Sequence, residues 1–482
     1  MVPPRPAAPP IALLDLAAQH APLQEALVAA AARVLGSHTF ILGPDVEAFE
    51  GELAAAIGAT HAIGVSSGTD ALVASLLALG VGPGDEVITT PFSFIATAAA
   101  IARVGAKAVF VDIEPTTYAI DPAGVLAAIN ERTRAVLPVH LFGQMADLRR
   151  LLAITEPRGV PLIEDAAQAI AASRDGLGSG TSGTLGTLSF FPSKNLGGAG
   201  DGGMVLTQDQ ALADKLRLLR NHGQAQKNVA SELGGNFRLD TLQAALLRVK
   251  LPHLERWTAA RRTVAARYRL LFGQMGLDVA AGALTQDTPF TLPQEAPNTH
   301  HVYNQFVLRS PRRDSLHAYL ARVGIASAIY YPRPLHLQPA FAGWGYVEGA
   351  FPHSERAARE CLALPIHPEL TEQEQARIAS AVMAHDTAPA QSLLPRPSPR
   401  LNLRKSSLFS ALSALSQLEA AGDRTPRGAA PRFCVCPAHG ERRPPRRLLA
   451  ERVLPCRRGP AAACERALRR LVVAPASRSL PR

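Results

Sequence analysis

The sequence predicts an α/β protein built on a mainly parallel seven-stranded sheet, with a smaller C-terminal α/β domain and a basic tail. Three observations carry this. Between about residues 60 and 207, short runs rich in Val, Ile and Phe alternate with Ala/Leu-rich stretches at helical spacing. A second mixed segment, 300–386, follows long helical patterns at 209–222 and 239–272. Beyond 387, Arg, Pro and Ala dominate with little periodicity. The division expected is 1–245, 246–386 and 387–482.

The seven runs are "HAIGVSS", "DEVITTP", "KAVFVDI", "AVLPVHLF", "PLIEDAA", "TLSFFP" and "GGMVLT". Continuous apolar runs with helices between most of them fit strands buried on both faces of one sheet. Ligands of such sheets bind beyond the strand C-terminal ends, where Ser66, Ser67, Pro91, Asp165 and Ser193 fall. In the second domain "VYNQFVLRS" and "IASAIYYP" are strand-like, and the 239–272 pattern reads as a long connecting helix. A chain with 47% hydrophobic and 19% charged residues can bury such cores.

The net charge of +10 is unevenly spread. Residues 387–482 hold 19 Lys+Arg against 5 Asp+Glu, while 1–386 hold 31 against 35. The basic character therefore belongs to the tail, whose composition cannot offset chain entropy and predicts disorder. A nucleic-acid role for its arginines is disfavoured, because only Phe409 and Phe433 interleave them. Cys434, Cys436 and His439 lie close together without a zinc-site spacing, so no metal is expected. Cys361 is alone in the first 386 residues, which fits a reducing compartment. The start, "MVPPRPAAPPIALLDLAAQ", is broken by prolines and Asp15, and the Ala-rich run near 95–110 contains Arg103 and Lys107. A cytoplasmic protein without a membrane span is expected.

Two G-x-G-x-x-G matches, Gly178–Gly180–Gly183 and Gly198–Gly200–Gly203, run into strands instead of helices, which excludes a dinucleotide fingerprint. A better phosphate site is "VSSGTDALVASLLAL": a strand ends at Ser66–Ser67 and a helix begins near Thr69, with Gly68 allowing close approach. A plain helix cap reads equally well there. Asp165 at a strand end can be solvated, can cap a helix or can pair with a cation such as a pyridinium nitrogen. Lys194, in "SFFPSKNLGGAGDGG", sits between an aromatic wall and an open backbone. A desolvated lysine there would lose its proton readily enough to attack a carbonyl. A phosphate turn at Gly68–Thr69, an aromatic at Phe92 or Phe94, Asp165 and Lys194 together describe a pyridoxal phosphate site.

With "DEVITTPFSFIATA", "FVDIEPTTYAIDP", "PVHLFGQMADL", "IEDAAQA", "NFRLDTLQAALLRVKL" and "IYYPRPLHLQPAF", the chain from about 11 to 386 resembles the DegT/DnrJ/EryC1/StrS family of sugar-nucleotide aminotransferases. The resemblance implies a fold-type I homodimer with active sites at the subunit interface, pyridoxal 5′-phosphate as cofactor and glutamate as amino donor. It places the Schiff-base lysine on Lys194 and the pyridinium partner on Asp165. Phosphate contacts fall on Gly68, Thr69 and Ser189, and the ring-stacking aromatic on Phe94. Gln168 falls beside the cofactor's phenolic oxygen. Asn236, and more weakly Arg238, would reach the phosphate from the other subunit. Tyr331 and His336 lie in a substrate-side segment, where packing roles serve as well.

Lysine at 194, where deoxygenating relatives carry histidine, implies transamination. Tyr330 stands where "HYP" is common, and "QAQKNVASELGG" lacks an aromatic often seen after its lysine. The motifs look more like members acting on 3-keto than on 4-keto sugars, for polysaccharide or natural-product amino sugars. A cofactor-binding regulator without turnover is the alternative. The glycines after Lys194 are expected to give its side chain room to swing. Deleting residues 387–482 is expected to leave the cofactor's absorption band intact, which a spectrum of the truncated protein checks.

Overall fold

The computed structural model describes residues 9–277 and 290–387. The tail expectations, including Cys434, Cys436 and His439, lie outside the described residues. Seven strands form at the expected runs: β1 His61–Val65, β2 Glu86–Thr89, β3 Lys107–Phe110, β4 Thr133–Leu137, β5 Ile163–Asp165, β6 Leu185–Ser189 and β7 Gly203–Thr207. The ladders give the orders β1-β7-β6-β5 and β3-β2-β4. Parallel bridges Val136↔Leu162 and Val139↔Asp165 join them into one sheet, β1-β7-β6-β5-β4-β2-β3. All pairs are parallel except those of β7, which runs antiparallel to both neighbours. Burial of β2 and β7 at every position fits a sheet covered on both faces.

Helices follow the strands as their caps dictate. Asp15, Ser67, Asp121, Asp147 and Asp209 each accept a first-turn N–H, so each following helix starts where a side chain satisfies an orphan donor. The helices used below are α1 Gln24–Ser37, α2 Pro44–Ile57, α3 Gly68–Ala78, α4 Ile95–Arg103, α5 Gln210–Leu219, α6 Thr241–Lys250, α7 Leu254–Gln274 and α8 Glu372–Thr387. The expected helix over 239–272 is two helices, α6 and α7, separated by a 3-10 turn at Leu251–His253. Pro252 accounts for the break, since it has no N–H to donate and its ring clashes with the preceding turn.

The side chains of α7, α8 and 290–382 form an apolar core of their own, joined by Ile11. At its centre β8 (Phe306–Arg309) pairs antiparallel with β9 (Cys361–Leu364), and Tyr268 packs 4.9 Å from Phe306. The strand expected at "IASAIYYP" is reduced to two bridges, Ile325 with Ile11 and Ala328 with Ala363. Its backbone changes partner within three residues, so no continuous ladder forms. Among the described residues, no helix is long and apolar enough to cross a membrane.

The far end of the large sheet is held by a third core in which Phe49 of α2 meets Phe190 edge to face, ring centroids 5.3 Å apart. Phe190 directly follows β6, so this pair fixes the chain just before Lys194. Phe49→Ala is expected to cost about 3–5 kcal/mol, read as a lower denaturation midpoint in urea; a loss below about 1 kcal/mol would remove Phe49 from the core.

Candidate active site

A cavity of about 450 Å³ opens at the C-terminal ends of β1, β5 and β6. Its floor begins at Ser67, whose extended backbone (φ −166°) turns its hydroxyl to accept the Asp70 N–H at 3.0 Å. The cap reading is therefore correct, and it leaves Gly68 and Thr69 facing the cavity. A Cβ at Gly68 would lie 2.7 Å from the Ser189 Cβ, so only glycine lets the start of α3 rest against the end of β6. Asp70 would repel an anion there, but Ser66 Oγ donates to its carboxylate at 2.7 Å and Arg103 stands at 3.5 Å. The first turn of α3 can thus hold a phosphate.

Asp165 ends β5 and is buried. Thr97 Oγ1 of α4 donates to one carboxylate oxygen at 2.9 Å, and the Ala167 N–H to the other at 3.2 Å. Burial pushes its pKa up, against the opposing pull of Thr97, Ala167, Lys194 and His140. A buried carboxyl so placed is stabilised as the anion by any cation entering the cavity. Its chain neighbour Glu164 points to the other face, where it pairs with His140 Nε2 at 2.7 Å and accepts the Gly180, Ser182 and Gly183 N–H groups.

Lys194 sits in a turn closed by its own N–H donating to the Phe191 carbonyl at 2.9 Å. Burial lowers its pKa to about 8, with the Asp165 carboxylate pulling the other way. The neutral, nucleophilic amine is therefore more populated near neutral pH than at an ordinary lysine. Phe94 supplies the aromatic wall, 54% exposed, whereas Phe92 is fully buried and serves the core. Gln168 bridges two segments: its Oε1 accepts from Phe142 N at 2.8 Å and its Nε2 donates to Tyr331 Oη at 3.0 Å. Burial pushes the Tyr331 hydroxyl pKa up, so it stays a proton donor.

The cavity thus gathers Gly68, Thr69, Phe94, Asp165, Gln168, Ser189, Lys194 and Tyr331. It does not include Asn236, Arg238 or His336. Asn236 is exposed beyond a bridge to Asn221, and Arg238 donates to Asn221 Oδ1 at 2.9 Å. His336 is buried, edge-on to Phe351 and 3.1 Å from Glu355. Sequence reasoning missed Thr97 and Gln305, which also line the cavity, as does Phe191 of the aromatic wall expected beside Lys194. Thr97 lies on α4, and its hydroxyl is 2.9 Å from that of Ser93 just before the helix, but nothing local in the sequence points to its partner Asp165.

The glycines after Lys194 also have a packing role. A Cβ at Gly197 would lie 2.3 Å from the Pro192 carbonyl oxygen, and one at Gly203 2.4 Å from the Ser67 carbonyl carbon. Neither has a positive φ. They permit close backbone packing of the loop.

A buried carboxylate awaiting a cation, a helix start with room for an anion, an aromatic wall and an amine of lowered pKa fit pyridoxal 5′-phosphate. Fold and site define a fold-type I, pyridoxal-phosphate-dependent aminotransferase. The chain belongs to the DegT/DnrJ/EryC1/StrS aminotransferase family, whose pattern matches residues 22–383. It is 49% identical to a pleiotropic regulatory protein of Geobacillus stearothermophilus, over 77% of this chain and 97% of that one. It is 45% identical to a UDP-N-acetyl-3-dehydro-α-D-glucosamine 3-aminotransferase of Acidithiobacillus ferrooxidans, with the same coverage. The crystal structure of DesV from S. venezuelae, in complex with a ketimine intermediate, matches with a TM-score of 0.75 at 42% identity, covering 79% of this chain and all of that one.

In the protein stripped of cofactor, acetylation of Lys194 is expected to rise about tenfold per pH unit up to about pH 8 and then level off. Peptide mass spectrometry across pH 6–11 checks this; a rise continuing past pH 10 would place the amine in water.

Proposed function

We propose that this protein transfers an amino group from glutamate to the keto group of a nucleotide-linked hexose, acting as a cytoplasmic homodimer, with 3-keto sugars favoured over 4-keto. The observation that carries the reading is the shared cavity of Lys194 and Asp165, with the start of α3 beside them. The 3-keto preference draws on the 3-aminotransferase named above. Residues 1–245 would hold the cofactor, and 246–386 would supply Tyr331 on the substrate side. Asn236 and Arg238, outside this chain's own cavity, would serve the partner's phosphate. His336 keeps a packing role in this reading.

Bound pyridoxal phosphate supplies an aldehyde and an electron-withdrawing ring nitrogen. Gly68, Thr69 and Ser189 would hold its phosphate, and Phe94 one face of its ring. Asp165 Oδ2, held by Thr97, would keep the ring nitrogen protonated. Gln168 Nε2, which donates to Tyr331 Oη, would turn to the phenolic oxygen. Lys194 Nζ would hold the aldehyde carbon and, once released, take the proton from the donor's α-carbon and deliver it to that former aldehyde carbon, across the nitrogen that joins the two. A lowered pKa suits both duties, since only the neutral amine can attack a carbonyl or accept a proton.

A second reading, a regulator that binds the cofactor without turnover, draws on the likeness to the pleiotropic regulatory protein. Glutamate separates the two: an aminotransferase loses its aldehyde absorption band on adding it, and a non-catalytic binder keeps it. Turnover with a panel of 3-keto and 4-keto nucleotide sugars, followed by 2-oxoglutarate release, tests the substrate. Lys194→Ala is expected to abolish release, and Asp165→Asn to lower kcat by about two orders of magnitude or more. Retained activity in Lys194→Ala would overturn the assignment.

A further inference from the structure

Helix α6 reaches the lysine loop at two points that the chemistry above does not use. Gln243 Oε1 accepts the Ala199 N–H at 2.8 Å, and a Cβ at Gly198 would lie 2.9 Å from that same oxygen. Lys250, 2% exposed, donates its Nζ to the Gly197 carbonyl at 2.8 Å. Positions 243 and 250 are two helical turns apart and share one face. A buried amine is costly to keep without a polar partner, and the Gly197 carbonyl supplies one to Lys250. The other bonds of the loop lead back to the strand that precedes it: Gly198 N to the Phe190 carbonyl at 2.7 Å, and Phe190 N to the Gly202 carbonyl at 2.8 Å.

We propose that Gln243 and Lys250 are positioning residues for Lys194, clamping the 197–199 backbone to α6 so that the lysine's backbone stays fixed while its side chain works. The clamp explains why the loop is glycine-rich without being loose: the glycines admit the Gln243 amide and the Pro192 carbonyl at contact distance. α6 itself is anchored on the opposite side. Arg248 pairs with Asp45 and Glu52 of α2, at 2.7 and 2.6 Å, and Asp45 also pairs with Arg33 of α1 at 2.7 Å. Position is thereby passed from the helical layer to the amine. This rests on Lys194 being the working amine.

The test uses the full-length holoenzyme with Gln243→Met and Lys250→Met, which remove each contact while leaving similar volume. Gln243→Glu, which can still accept the Ala199 N–H, is the rescue. The clamp predicts a kcat about tenfold lower in each Met variant, with KM for donor and sugar within about twofold, because misplacement of the amine weakens the step and not the binding. It also predicts that the acetylation midpoint of Lys194, measured in the pyridoxamine phosphate form where the amine is free, moves up in the Met variants relative to wild type as water enters. Gln243→Glu should restore both. Folded Met variants with unchanged kcat and unchanged midpoint would overturn the clamp, and so would a kcat loss recovered fully by lowering the temperature. A wild-type enzyme without turnover, but with a midpoint that shifts in the variants, would instead refute the functional reading alone.

Discussion

The contact on which the rest of the site depends is a backbone meeting of three distant segments at Ser67–Gly68, Ser189 and Gly203. β7 runs antiparallel between β1 and β6, with Gly203 paired to both Val65 and Ser189. Gly203 has no room for a Cβ beside the Ser67 carbonyl, and Gly68 none beside Ser189. The start of α3 is therefore pressed onto the ends of two strands, one of which leads directly to Lys194. An anion held at that helix start and an amine rising from the following turn are placed by one packing event. Any side chain at 68 or 203 would part them.

Electrostatics complete what packing begins. Burial acts oppositely on Asp165 and Lys194, raising the carboxyl pKa and lowering that of the amine. Each partly restores the other, but neither is satisfied by its partner alone. The site is thus short of a cation near Asp165, and a pyridinium provides one. Thr97 narrows the choice further: its hydroxyl occupies one Asp165 oxygen from the side of α4 and fixes the carboxylate plane. Proton economy in the cavity follows from burial, with geometry deciding which atoms share it.

Much of this was legible in the sequence because the strands are buried on both faces and announce themselves as unbroken apolar runs. Lys194, Asp165 and the Gly68–Thr69 turn stood out for residue type at strand ends. What the sequence hid is relational. A run such as "GGMVLT" carries no sign of direction, so the reversal of β7 appears only in the ladder. The Thr97 hydroxyl finds Asp165 across 68 residues, and Lys250 finds Gly197 across 53. Pro252 was a visible breaker, but the continuing apolar period on both sides masked it.

The glycine-rich loop shows that composition alone does not say what the missing side chains make room for. Glycine removes a side chain, which permits either freedom or contact, and the surroundings decide between them. Here the vacated volume is filled by a carbonyl, an amide and a neighbouring turn. The segment is tied to β6, to α3 and to α6. That suits an amine which must alternate between holding a carbon and carrying a proton: the side chain's own rotamers supply the motion, and a fixed Cα brings it back to the same atom each time. A loop that moved as a whole would spread the amine over positions from which only a few could react.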